Sequence, residues 1–201
     1  MTDEHDSTRR MLITALAGLT LANVALPSTV PSTAADARNK PINSRILVAY
    51  FSRSGNTRVI AGVIHRSLKA DLFEIEPANP YPEDYFQTVA QAKDERDREI
   101  RPPLKNDVAN IERYQTIYLG FPIWGTTVPP IVQTFLRSHN LTGKILIPFI
   151  THGGYGLGNS EDILAALTPG NRWRKPLVIE CDQERKTTET VTHWLDTIQT
   201  G

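Results

Sequence analysis

From Ser44 onward, apolar runs of strand length alternate with stretches whose apolar residues return at helical spacing. The strand-like runs are 45–51, 71–76, 116–121, 144–150 and 176–181. Most are continuously apolar rather than alternating, as expected of parallel strands covered on both faces. Between them, Val59, Ile60, Val63, Ile64 and Leu68 form one helical face, and Ile131, Val132, Phe135 and Leu136 form another. The second follows Pro129-Pro130, and proline is tolerated in a first helical turn. Ser160, Glu161 and Asp162 read as a cap and acidic first turn ahead of Ile163, Leu164 and Leu167. Val191, Trp194, Leu195 and Ile198 make a last amphipathic stripe. These stripes are core material. The segment 80–103 is less regular: Tyr85, Phe86 and Val89 are expected to pack a short helix, and 93–101 reads as a solvated charged face. Strands alternating with helices predict an α/β domain with a five-stranded, doubly wound parallel sheet and right-handed crossovers.

Composition narrows this picture without redirecting it. A length of 201 residues suits one domain, and 22 basic against 22 acidic residues give no long basic footprint for nucleic acid. Cys181 is the only cysteine, so neither an internal disulfide nor a cysteine-rich metal site is expected; it reads as a small buried hydrophobe. The first residues differ in character. Thr8-Arg9-Arg10 precedes an apolar stretch from Met11 to Leu26, followed by Pro27, Pro31 and a small-x-small pattern at Ala35-Asp36-Ala37. That layout resembles a bacterial twin-arginine signal peptide. The stretch is shorter than the roughly 20 residues that span a bilayer, so membrane contact is expected only in transit. The expected organisation is therefore a signal peptide at 1–37, a linker at 38–43 and the domain at 44–201, in an exported, periplasmic or otherwise extracytoplasmic bacterial protein. Loss of residues 1–37 leaves 20 basic and 18 acidic residues, formally +2.

In a doubly wound sheet, ligands bind beyond the carboxyl ends of the strands, near the switch point. The loops there read 52–57, 122–127 and 151–158. They are rich in Gly, Ser, Thr and aromatics and nearly free of charge. In the first, Gly55 permits a tight turn and Asn56-Thr57 open a helix. Unpaired amides with the hydroxyls of Ser52, Ser54 and Thr57 would surround an anion with donors. No lysine lies in the loop, and no Walker spacing precedes Gly143-Lys144, which excludes a triphosphate loop. Two readings stay open on composition alone: a phosphomonoester cradle, or a well-capped turn without a ligand. Trp124 could cover one face of an aromatic ligand. Thr151-His152-Gly153-Gly154-Tyr155-Gly156 adds exposed amides, an aromatic and one titratable group. Gly154, Gly156 and Gly158 miss the dinucleotide spacing. His152 is a weak candidate for catalysis against a role in bracing its loop.

Tyr50-Phe51-Ser52-Arg53-Ser54-Gly55-Asn56-Thr57 resembles the phosphate loop of flavodoxins. The later motifs keep the order of a bacterial flavodoxin-like subfamily across nearly all of the expected mature chain: Arg101-Pro102-Pro103-Leu104, Leu119-Gly120-Phe121-Pro122-Ile123-Trp124, Pro129-Pro130 through Phe135-Leu136, Gly143-Lys144, and Pro148-Phe149-Ile150-Thr151-His152-Gly153-Gly154. The resemblance implies a three-layer flavodoxin-like sandwich with sheet order 2-1-3-4-5 and non-covalent FMN. Ser52, Arg53, Ser54, Gly55, Asn56 and Thr57 would take the phosphate. Pro122, Ile123, Trp124 and Gly125 would line the ring, with Thr151, His152, Gly153, Gly154 and Tyr155 on the other loop. Two positions depart from the family pattern: Gly125 stands where a second Trp is frequent, and Tyr155 replaces a Ser.

Two functions follow as expectations. One is an FMN-dependent redox protein, either a carrier or a reductase for a small acceptor such as a quinone, with the cofactor supplying the chemistry. The near-neutral charge disfavours an acidic electron carrier. The other is a binding module that has lost flavin or holds another phosphorylated ligand, for which Gly125 and Tyr155 would speak. Flavin proteins of this shape often form homodimers that complete the pocket, but no stripe here marks such a face.

Overall fold

The computed structural model describes residues 45–181 and 184–199. The signal-peptide reading of 1–37 and the linker at 38–43 lie outside the described residues. The elements run β1 (Ile46–Tyr50), α1 (Asn56–Leu68), β2 (Asp71–Glu74), α2 (Tyr85–Asp97), β3 (Thr116–Pro122), α3 (Pro130–Ser138), β4 (Ile145–His152), α4 (Ser160–Leu167), β5 (Arg172–Trp173), β6 (Leu177–Glu180) and α5 (Glu184–Gln199). The strands pair in the order β2-β1-β3-β4-β5, all in parallel, with β6 also on β4. The expected order 2-1-3-4-5 is therefore present. Its fifth strand is split: β5 pairs with Ile145 and Leu146, and β6 pairs from Phe149 to His152 along the same edge. Pro176, between the two pieces, lacks the N–H that a continuous ladder would need.

Side-chain parity along the central strands builds two cores. Leu47, Ala49, Ile117, Leu119, Phe121, Leu146 and Ile150 face one way and pack with Ile131, Val132, Phe135 and Leu164 of α3 and α4. Val48, Tyr50, Tyr118, Ile147 and Phe149 face the other and meet Ile60, Ala61, Ile64, Val191 and Leu195 of α1 and α5. Both faces are covered, which is why the runs read as continuously apolar. Each fully buried Ile, Leu or Phe contributes roughly 1.5–3 kcal/mol of transfer free energy. At Gly120, on the other hand, absence of a side chain is what the packing requires. An added Cβ would fall 2.1 Å from the ring of Phe149, its register partner on β4.

Several local expectations change. Val59 is exposed rather than part of the buried face of α1. The helix at 85–97 is longer than expected and turned the other way. Tyr85, Phe86 and Val89 are exposed, whereas Thr88, Ala92 and Glu95 are buried. Glu95 tolerates this because the Tyr81 hydroxyl and the Gln91 amide each donate to its carboxylate at 2.8 Å. Asn159, not Ser160, occupies the cap position of α4, and the buried Ser160 hydroxyl has no hydrogen-bond partner among the described residues. Cys181 is half-buried.

Candidate functional site

The switch point lies between β1 and β3, where the chain leaves for β2 on one side and for β4 on the other. Loops 52–57, 122–127 and 151–158 therefore leave the carboxyl ends of three neighbouring strands, and hydrogen bonds tie them together. Ile123 N donates to Thr151 O at 2.8 Å, and Asn159 N donates to Thr126 O at 3.1 Å. The hydroxyls of Thr57 and Thr151 meet at 2.9 Å, both almost fully buried. Their side chains thus couple the first loop to the third rather than face solvent.

In the first loop, Ser52 Oγ accepts from Gly55 N at 3.1 Å and closes the turn. Gly55 has φ 95°, a left-handed conformation suited to glycine, and the space where its Cβ would stand is open. Among the described residues no side chain caps α1. Among the described residues nothing accepts from the amides of Asn56 and Thr57. Ser54 is exposed beside them. Orphan donors at a helix start attract an anion, and no carboxylate or hydroxyl of the described residues satisfies them. Arg53 does not point into this cradle: its guanidinium donates to Glu83 O at 3.2 Å and lies 5.7 Å from the Tyr85 ring centre. What Arg53 can offer there is backbone. A groove of about 220 Å³ opens alongside, lined by Ser52, Arg58, Glu74, Tyr81 and Lys105 among others.

In the second loop, Trp124 N donates to Thr127 O at 3.1 Å. The two residues between, Gly125 and Thr126, have φ of 58° and 67°. That is the two-residue turn in which both central positions are left-handed, and it explains glycine at 125. A β-branched residue at positive φ is strained. Asn159 N bonds the Thr126 carbonyl. A Cβ on Gly158 would lie 1.8 Å from the same oxygen, so glycine is needed there for the second and third loops to touch. The Trp124 ring stands edge-on to Phe51 at 5.1 Å and to Tyr81 at 4.8 Å, part of a half-buried aromatic cluster. Tyr81 was not singled out from sequence; Pro80-Tyr81-Pro82 gave it no chemical signal. Burial, then its hydrogen bond to Glu95, pushes the Tyr81 hydroxyl well above the ordinary tyrosine range, so it stays a protonated donor.

In the third loop, His152 Nδ1 accepts from Gly154 N at 3.1 Å, and His152 O accepts from Cys181 N at 3.0 Å. The imidazole braces its own loop. Gly153 and Gly154 are exposed, and Tyr155 is 84% exposed, its ring turned to solvent. Pro122 ends β3, half-buried. No group of three or more metal-ligating side chains occurs among the described residues.

The doubly wound sheet thus sets a helix start with free amides after β1 beside two aromatic-bearing, glycine-rich loops after β3 and β4. The family model for flavodoxin matches residues 45–198, and the chain belongs to that family. Among solved structures, it is similar to a candidate flavoprotein from Bacteroides uniformis, with 33% identity and a TM-score of 0.67 over 75% of this chain and 97% of that one. One from Bacteroides eggerthii gives 34% and 0.66 over 77% and 97%. A Lactobacillus acidophilus flavoprotein in complex with FMN shares the fold at 20% identity and a TM-score of 0.58, over 72% and 97%. A comparison with curated proteins finds no match.

Proposed function

We propose that the protein binds FMN and works as a redox protein outside the cytoplasm, passing electrons to, or reducing, a small acceptor such as a quinone. The observation that carries this reading is the pair of unsatisfied amides at Asn56 and Thr57, beside exposed Ser54, in a cradle with no side-chain charge of its own. Such a donor set fits one terminal phosphate. The FMN complex of the Lactobacillus relative supports the choice of flavin. Ser52, Gly55 and the backbone of Arg53 shape the cradle. The loop of Pro122, Ile123, Trp124 and Gly125 and the loop of Thr151, His152, Gly153, Gly154 and Tyr155 would flank the ring. Bound FMN would supply the electron or hydride chemistry; the chain binds, orients and shields it. No side chain needs to act as acid or base, and His152, engaged through Nδ1, serves the loop.

The reading without flavin drew on Tyr155 and Gly125, and neither position by itself argues for it. Tyr155 points outward instead of filling the site, and Gly125 answers the demand of a tight turn. Export rests on the Arg9-Arg10 segment, and it agrees with a route that carries proteins already folded around a cofactor. One preparation tests both parts. The protein recovered from the periplasm of a producing bacterium is expected to be yellow and to lack the first 37 residues. Its flavin bands should bleach with dithionite and return on addition of a benzoquinone. Colourless protein, or a bleached spectrum that quinone does not restore, contradicts the redox reading. A full-length chain kept in the cytoplasm contradicts export.

A further inference from the structure

Residues 93–101 carry a dense mixture of charges, and on α2 nearly all of them are partnered. Lys93 pairs with Asp97, and Arg98 pairs with Asp94 at 3.1 Å. Glu95 is held by Tyr81 and Gln91. Arg96 is the exception. Among the described residues no carboxylate lies within 4.0 Å of its guanidinium and no acceptor takes a hydrogen bond from it. It is nevertheless half-buried, and it rests on the backbone of Gly125. A Cβ on Gly125 would stand 2.7 Å from Arg96 Nη2 and 2.8 Å from Cζ. The guanidinium therefore occupies the place that a side chain at 125 would claim, next to Trp124 on the loop after β3.

A partly desolvated cation without a partner is costly, and an arriving negative charge relieves that cost. Granted the FMN reading above, the ligand of this site changes charge during function. Uptake of two electrons and one proton leaves the ring with one more negative charge than the oxidised form. A fixed cation seated against the flanking loop attracts the reduced state more than the oxidised one, and the difference in affinity is a difference in potential. We propose that Arg96 is a positioning charge of the flavin site: seated on Gly125, it binds reduced FMN more tightly than oxidised FMN and raises the cofactor's potential. The glycine at 125 thus serves two ends, allowing the left-handed turn and making room for the guanidinium.

The test compares wild type, Arg96→Gln and Arg96→Lys, each loaded with FMN and reduced with dithionite against mediator dyes of known potential. The dissociation constant of oxidised FMN is measured alongside. Attraction between unit charges several Å apart at an intermediate dielectric is worth at least a factor of about ten. Arg96→Gln is expected to weaken reduced FMN about tenfold relative to oxidised FMN, a fall of ~30 mV for a two-electron couple. Arg96→Lys, which keeps the charge, is expected to retain more than half of the wild-type effect. A merely structural contact would alter both affinities together and leave the potential where it was. Arg96→Gln with FMN bound and an unchanged or higher potential overturns the inference and leaves the FMN reading intact. Wild-type protein that takes up no FMN overturns both.

Discussion

Ser54→Glu is expected to abolish FMN binding while the chain unfolds with nearly wild-type stability. Ser54 is exposed at the mouth of the cradle, where no packing depends on it. The structural hydrogen bonds of the loop belong to Ser52 and Thr57, so the turn survives the change. A carboxylate at 54 would lie beside the amides of Asn56 and Thr57. It would satisfy them from within the chain and repel a phosphate with a like charge. Like-charge juxtaposition costs several kcal/mol, which predicts at least a ~100-fold loss of affinity. Exposed substitutions usually alter stability by no more than about 0.5 kcal/mol. Titration followed by flavin fluorescence and a urea unfolding curve together check the two halves. Unchanged affinity would remove the cradle from the phosphate site.

The second large effect is on the fold. Gly120→Ala is expected to destabilise the protein by about 3 kcal/mol, at the upper end of overpacking costs. The new methyl would meet the Phe149 ring at 2.1 Å, and that ring is fully buried with nowhere to retreat. Backbone motion is no remedy, because β3 is paired on both edges at this level, with Tyr50 and with Phe149. Phe149→Ala alone also costs about 3–5 kcal/mol, by opening a cavity. The double substitution should cost less than the sum, since each change removes part of the other's harm. Strict additivity in denaturant unfolding would show that the two positions do not share the space.

Most of the architecture was legible because it follows from burial. Strands covered on both faces must be apolar throughout, and the runs at 45–51, 116–121 and 144–150 showed it. That loops 52–57, 122–127 and 151–158 lie side by side was legible because the strand order sends all three from the same end of the sheet, whatever their side chains. What escaped has a common physical origin in contacts between distant residues. Tyr85, Phe86 and Val89 suggested an inward face for α2, yet Glu95 points in, since Tyr81 and Gln91 satisfy its carboxylate. No local pattern reports such a partner. Arg96 belonged to a charged run that read as solvated surface, and only the tertiary fold sets it against Gly125. The split of the last strand rests on two residues, Arg172 and Trp173, too short a piece to show a period.

The most direct measurement is a paired titration of flavin-free protein with FMN and with riboflavin, which lacks the phosphate. A phosphate cradle at 52–57 predicts saturable uptake of one FMN per chain and riboflavin binding at least ~100-fold weaker, the loss of several charge-assisted hydrogen bonds. Equal affinity for the two, or uptake of neither, would contradict it.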